Sequence, residues 1–322
     1  MKRVVAAVAL GLVVGAPSAS LGPKSPAKAR FAASAAPAAA PAPSELPQHR
    51  GIQYLYGSAE AAALTRQTWR ILADYVDEQV ASGTHKSVIL TPDSTLSNPH
   101  FVPCDGKPAA IVLDVDETAI LNLGAEYDDL MAGRLGFDAA AWDRWEKFGA
   151  PYVAATPGAK EAIDRLRDHG VTVIFNSNRK AENADGAAAA INAAGLGPVR
   201  FGETLFLDDA ASKGMKDGRR QRIAAQYCVL AMGGDQLIDF SDLFKTEPSS
   251  IATRRATVAY SGIADLWGNG WFVMPNPVYG SAIKGEADDI FPKDKQWRDP
   301  GPPKPADPEP ASPSAPTPKK AK

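Results

Sequence analysis

Residues 111–122 read IVLDVDETAILN: a branched apolar run, then two aspartates one residue apart, then a threonine two residues after the second. Successive side chains of a strand point to opposite faces, so Asp114 and Asp116 are expected on one face and Val115 on the other. At the carboxyl end of a buried parallel strand, where an open α/β sheet places its ligands, one carboxylate could attack phosphorus while the other handles protons. A strand that merely ends in an Asp-rich turn has the same local sequence. The surrounding chain has to separate the two.

Downstream, helical and strand-like stretches alternate. Thr156 and Pro157 read as a helix cap and first helical position, with Ile163 and Leu166 as apolar contacts and Gly170 as the stop. The buried strand VTVIFN follows at 171–176, then a helix from Glu182 to Ala194 closed by Gly195, then a strand from Thr204 to Leu207. An Arg- and Gln-rich helix from Gly218 to Gln226 leads into a strand from Tyr227 to Met232, and WFVMP at Trp271 to Pro275 adds one more. Alternation of this kind, with strands that are near-continuously apolar, predicts a doubly wound, Rossmann-like α/β fold: a parallel sheet with helices on both faces. Upstream, Tyr54 to Val80 has the spacing of an amphipathic N-terminal helix, with Ser58 available as its cap, and Lys86 to Pro108 reads as a loop.

Composition excludes several classes. The 322 residues are 45% hydrophobic and 22% charged, ordinary values for a soluble globular protein. With 35 basic against 37 acidic residues the formal charge is -2, which provides no global field for nucleic acid, so nucleic-acid binding is not expected. His49, His85, His100 and His169 share no metal-ligand spacing, so zinc or histidine chemistry has no support. Cys104 and Cys228 leave one disulfide open, with two separate buried thiols the favoured account.

The termini differ from the middle. Residues 1–20 carry Lys2 and Arg3, the apolar run VVAAVALGLVVGA and small residues at Ala16 to Ser20, the form of a signal peptide. The run is short for a bilayer span and no cysteine follows it for lipid attachment, so a periplasmic or secreted protein without a stable membrane anchor is expected. Residues 21–46 form an Ala/Pro-rich linker and 298–322 a Pro-rich tail, leaving 47–297 as one domain.

Ligand groups in a doubly wound sheet gather at strand ends. Beyond Asp114 and Asp116, one strand ends in Asn176-Ser177-Asn178-Arg179, where the Ser177 hydroxyl can serve a phosphate oxygen or cap a helix. Another ends in Gly233-Gly234-Asp235 with Asp239 four residues on, an acid pair able to hold a hard cation through oxygen. Lys213 and Lys216 lie between them, either within reach of a phosphate.

These residues, together with FDAAAWDRW at 137–145, TPGAKE at 156–161 and PNPVYG at 275–280, resemble the haloacid dehalogenase (HAD) superfamily. Within it, they resemble the exported class C acid phosphatases related to the lipoprotein e(P4) type of 5'-nucleotidase, subfamily IIIB. The resemblance implies an HAD-like fold and an Mg²⁺-dependent phosphomonoesterase that accepts small phosphomonoesters, including 5'-nucleotides. It implies Asp114 as the nucleophile that becomes an aspartyl phosphate and Asp116 as the acid and then the base. Ser177 and Lys216 fall on phosphate-binding positions. Mg²⁺ would be held by the Asp114 side chain, the Asp116 carbonyl, Asp235 and Asp239. Spacing leaves no room for a large cap domain, so walls are expected from the N-terminal helix and from residues 123–152, with Tyr54, Tyr127 and Trp142 as pocket candidates beside Tyr56 and Trp145. A phosphotransferase using the same intermediate and a non-catalytic nucleotide-binding or storage protein are the alternatives.

Overall fold

The computed structural model describes residues 49–83, 86–246 and 250–301. The expected signal peptide (1–20), linker (21–46) and all but the first residues of the tail (298–322) lie outside the described residues. The sheet is parallel throughout, in the order β5 (Leu205–Asp208), β4 (Thr172–Lys180), β1 (Ala109–Leu113), β6 (Cys228–Gly234), β7 (Trp271–Val273). β1 is central, paired with β4 from Ala110↔Thr172 to Leu113↔Phe175 and with β6 from Ala109↔Cys228 to Leu113↔Gly233. The strand that leads into the aspartates is therefore flanked by β4, which carries Ser177, and by β6, which leads into Asp235 and Asp239.

The period of two sorts the strand residues into two cores. Ile111, Leu113, Val173, Phe175, Cys228 and Leu230 face one side, with Trp69, Leu72 and Val76 of α2 (Ala59–Ser82), Ile163 and Leu166 of α5 (Ala159–Asp168) and Ile191 of α6 (Ala184–Ala193). Ala110, Val112, Ile174, Val229 and Met232 face the other, with Val88, Ile89, Phe240, Trp271 and Ile223 of α7 (Asp217–Ala224). In β6 the register shifts opposite Ala110/Ile111, and Leu230 and Ala231 both enter the first core. That is the local effect of an extra residue in one strand. After β1 the chain makes a short antiparallel pair, β2 (Ile120–Leu121) with β3 (Ala154–Ala155), and between them run α3 (Leu123–Ala132) and α4 (Ala139–Phe148). Among the described residues, this small insertion is what separates β1 from α5.

Several local expectations are corrected. The helix expected over Tyr54 to Val80 is two, α1 (Arg50–Gly57) and α2, because extended Ser58 ends the first; its hydroxyl accepts from the Ala61 N–H at 3.0 Å and caps the second. Thr156 caps no helix. It is buried, accepts from the Trp69 indole N–H at 2.9 Å and donates to the Thr118 carbonyl at 2.7 Å, while Gly158 occupies the N-cap of α5. Cys104 and Cys228 are joined in a disulfide. The loop entering β1 has to run beside the start of β6, since Ala109 pairs with Cys228 and the Cys228 N–H donates to the Pro108 carbonyl, which brings the two Cα atoms to 4.6 Å.

Candidate active site

β1 regular pairing ends at Leu113, although the Asp114 N–H still donates to the Gly233 carbonyl at 2.9 Å. The chain then coils into a turn in which Ala119 and Ile120 both donate to the Val115 carbonyl and Glu117 takes a left-handed φ of 54°. Simple strand alternation therefore does not present the two carboxylates; the turn does, and it gives them different surroundings.

Asp114 is buried against Lys216, whose ammonium donates to it and, at 2.6 Å, to Asp239. Lys216 lies just before α7 and its N–H donates to Asp242 at 2.8 Å, whereas Lys213 is exposed; Lys216 is the one of the two that reaches Asp114. Asp235 and Asp239 follow β6. Asp235 accepts from Thr118 at 3.0 Å, from Asn276 at 2.8 Å and from Gln236 at 2.9 Å. Asp239 accepts from the Gln236 N–H at 2.8 Å, and a Cβ on Gly234 would stand 2.3 Å from its own, so glycine is what lets the acid come so close to the strand. Buried Arg220 fastens this turn to α7 by donating to the Ile238 and Asp239 carbonyls at 3.1 and 2.8 Å.

Asp116 turns the other way. The Arg179 guanidinium reaches its carboxylate at 2.7 to 3.2 Å, Asn122 donates at 2.9 Å, and the Ser177 hydroxyl lies 3.4 Å away. β4 continues through this segment to Lys180, so Ser177 is fully buried and turned onto Asp116 in place of capping a helix. Arg219 of α7 ties down the same strand end, donating to Asn176 at 2.6 Å and to Asn178 at 2.5 Å.

The two aspartates differ electrostatically. Burial pushes the Asp114 carboxyl up; Lys216 opposes this and Asp239 and Asp235 reinforce it. Burial pushes Asp116 the same way, but Arg179 and the hydrogen bonds from Arg179 and Asn122 outweigh it and hold the carboxyl below the usual range. Asp235 is pushed up to about 7 by burial and by Asp239. Burial works against the Lys216 ammonium, but Asp114 and Asp239 outweigh it and raise its pKa.

Carboxylate oxygens of Asp114, Asp235 and Asp239 lie within 4.8 Å of one another, all buried. Three hard oxygen donors facing one ammonium leave surplus negative charge, and this donor set fits a divalent cation of the kind HAD phosphatases use. The Asp116 carboxylate is not part of the cluster.

A cleft of about 660 Å³ contains Asp114, Asp116, Asp235, Asp239, Lys216 and Arg179, with Trp142, Tyr279 and Glu126 on its walls. Of the aromatic candidates, Trp142 lines it. Tyr127 is exposed and lines a neighbouring cavity of about 450 Å³, in which Trp145 also lies. Tyr54 lines neither. Two residues on, Tyr56 points its hydroxyl to Glu117 at 2.8 Å, as expected for positions about 200° apart on a helix. Glu117, Asn122, Arg179, Arg219, Arg220 and Tyr279 also enter the site, Glu117 and Asn122 from IVLDVDETAILN, Arg179 from a strand end and Tyr279 from PNPVYG. For Arg219 and Arg220 the signal in the sequence is two consecutive arginines in a helix that also buries Ile223 and Ala224.

A parallel sheet of this order with an acid-bearing turn after its central strand defines the HAD-like class of α/β proteins. Within that class, the family model for the HAD superfamily, subfamily IIIB (acid phosphatase), matches residues 51–282, and the chain belongs to this family. Among solved structures it is similar to the class C acid phosphatase from Bacillus anthracis at 24% identity and a TM-score of 0.58, over 72% of this chain and 85% of that one. It is similar to the same enzyme with tungstate bound at 23% identity and 0.59, over 78% and 97%. Comparison with curated protein sequences gives no match. These structural likenesses speak to the fold; the family match makes the chain an acid phosphatase, a hydrolase of small phosphate esters.

Proposed function

We propose that the chain is an exported, Mg²⁺-dependent phosphomonoesterase that accepts 5'-nucleotides and works through an aspartyl phosphate on Asp114. The observation that carries this reading is the division between the two aspartates: Asp114 beside Lys216 and the acid pair, Asp116 beside Arg179, both lining one cleft.

A carboxylate oxygen of Asp114 attacks phosphorus, the ester P–O bond breaks, and the departing oxygen takes a proton from Asp116. Water then attacks the phosphorus of the acyl phosphate, Asp116 accepts its proton, and inorganic phosphate leaves with the Asp114 carboxylate restored. Arg179 keeps Asp116 ionised in the free protein; an entering phosphate dianion raises its proton affinity, and Asp116 takes up from water the proton that it passes to the departing oxygen. Lys216 and the Ser177 hydroxyl are assigned to the phosphoryl oxygens. Mg²⁺, when bound by Asp114, Asp235, Asp239 and the Asp116 carbonyl, offsets the repulsion between an anionic carboxylate and an anionic ester.

The leaving group lies toward Trp142 and Tyr279, aromatic walls suited to a nucleobase. Export is supported by the form of residues 1–20 and by the Cys104–Cys228 disulfide, a bond that persists in oxidising compartments. No helix among the described residues is long and apolar enough to cross a membrane. The test is phosphate release from 5'-nucleotides, 3'-nucleotides and a simple aryl phosphate, with and without Mg²⁺. Turnover lost on chelation and restored by Mg²⁺, with phosphate released from 5'-nucleotides among the substrates, is expected; turnover indifferent to chelation contradicts the metal assignment, and no release from 5'-nucleotides contradicts their acceptance.

A further inference from the structure

Glu117 follows Asp116 directly, is 1% exposed, and takes no part in the phosphoryl chemistry above. A glutamate with φ of 54° occupies a region that non-glycine residues enter at a cost, so the surrounding contacts must hold it there. Its carboxylate gathers donors from three parts of the chain. Tyr56 of α1 donates to Oε1 at 2.8 Å, Tyr279 of the PNPVYG segment donates to Oε2, and Asn122 donates from its backbone N–H at 2.9 Å and from Nδ2 at 3.0 Å.

Asn122 carries the connection onward. The same Nδ2 donates to Asp116 Oδ1 at 2.9 Å, and the amide oxygen accepts from Arg179 at 2.9 Å and from the Trp145 indole at 2.9 Å. With acceptors on its nitrogen side and donors on its oxygen side, the amide has one workable orientation. Glu117 is one of the two acceptors that fix it. The other end of the link, Tyr279, lines the cleft, and its turn is held by Asn276, whose Oδ1 accepts from the Val278 N–H at 2.9 Å.

We propose that Glu117 is a positioning residue that couples the leaving-group wall of the cleft to the proton donor: it holds Tyr279 on one side and, through Asn122, orients Asp116 on the other. This rests on the reading of Asp116 as the acid for the departing oxygen. Its consequence is selective. A substrate whose leaving group is a sugar alcohol needs that proton in the transition state, whereas an aryl phosphate with an acidic phenol departs largely without it.

The experiment measures kcat/KM, which reports steps through leaving-group departure, for a 5'-nucleotide and for an aryl phosphate of an acidic phenol. Glu117→Gln places an N–H₂ among donors while keeping the side chain's shape. It is expected to lower the nucleotide value roughly 10- to 100-fold, with a loss at least about tenfold smaller on the aryl phosphate. Tyr279→Phe, which keeps the ring and removes only the hydroxyl, covers the case in which Glu117→Gln does not fold. It is expected to move the same ratio in the same direction, and the two changes combined should cost less than the product of their separate effects.

Equal losses on both substrates, or none on the nucleotide, overturn the proposal; so do fully multiplicative effects in the double variant. Asp116→Asn separates the two claims. If it shows the leaving-group selectivity and Glu117→Gln does not, only the positioning role fails. If Asp116→Asn itself lacks the selectivity, the proton-donor reading fails and the positioning role with it.

Discussion

Replacing Gly234 by alanine puts a methyl group where β6 has no room for one. The new Cβ would stand 2.3 Å from the Asp239 Cβ, 2.8 Å from its Cγ and 2.7 Å from its Oδ2, whereas ordinary contact begins at 3.4 Å. Asp239 would have to recede by about 1 Å in an interior packed too tightly to yield freely. It is held there by the Gln236 N–H at 2.8 Å, by the Lys216 ammonium at 2.6 Å and by Arg220 on its carbonyl at 2.8 Å. Misplacing a positioned group by that distance costs on the order of 100-fold in rate, and the overpacking itself about 1–3 kcal/mol of stability. Gly233→Ala is the matched control, because the first atom its Cβ meets is the Leu113 Cδ2 at 2.9 Å, the free end of a flexible side chain. Calorimetric titration of Mg²⁺ and kcat/KM on an aryl phosphate, measured for both variants, should show weakened Mg²⁺ binding and a rate loss of about 100-fold for Gly234→Ala, against a loss of less than about fivefold for Gly233→Ala. Wild-type Mg²⁺ affinity in Gly234→Ala would refute the placement of Asp239 in the metal cluster.

Two further outcomes are expected. The Cys104–Cys228 bond closes a sequence separation of 124 residues, for which chain entropy gives about 5 kcal/mol; urea denaturation of the Cys104→Ala, Cys228→Ala double variant should show most of that loss, and a change below about 1 kcal/mol would contradict it. Glu126, partly buried on the cleft wall, is pushed from the ordinary 4.5 up to about 7 by burial and by Asp129. The folded state therefore binds this proton more tightly than the unfolded one, so the contribution is full below pH 4.5 and is lost as pH rises through 7. Allowing for water reaching the cleft, Glu126→Gln should stabilise the protein by about 1–2 kcal/mol at pH 8 and leave it unchanged at pH 4, read from denaturation at both pH values; equal effects at the two would contradict the assignment.

The parallel sheet and the acids at its strand ends were legible because both follow from short-range patterns. Apolar runs separated by helical spacing give the alternation; Asp114, Asp116, Asp235 and Asp239 come shortly after the runs that become β1 and β6, and Lys216 stands just before the helix that leads into β6. Side chains that depend on which strands become neighbours were not legible. Arg179 reaches Asp116, and Arg219 reaches Asn176, only because β4 lies beside β1 and α7 packs over their ends. The disulfide depends likewise on β1 pairing with β6. Helix phase explains the tyrosines: Tyr54 and Tyr56 have equal claims in the sequence, and only docking of α1 turns Tyr56 toward Glu117. Glu117 was hidden by the turn itself, since the strand alternation that pairs Asp114 with Asp116 stops at Leu113.

The central claim is that Asp114 carries the phosphoryl group between the two half-reactions. Acid quenching during turnover of an aryl phosphate, followed by borohydride reduction and mass spectrometry of the peptide spanning residues 109–122, tests it directly. The account predicts that an acyl phosphate is trapped and that reduction converts residue 114 to homoserine, with both signals and turnover absent in Asp114→Asn. Turnover retained by Asp114→Asn, or the phosphoryl group trapped on another residue, would contradict it.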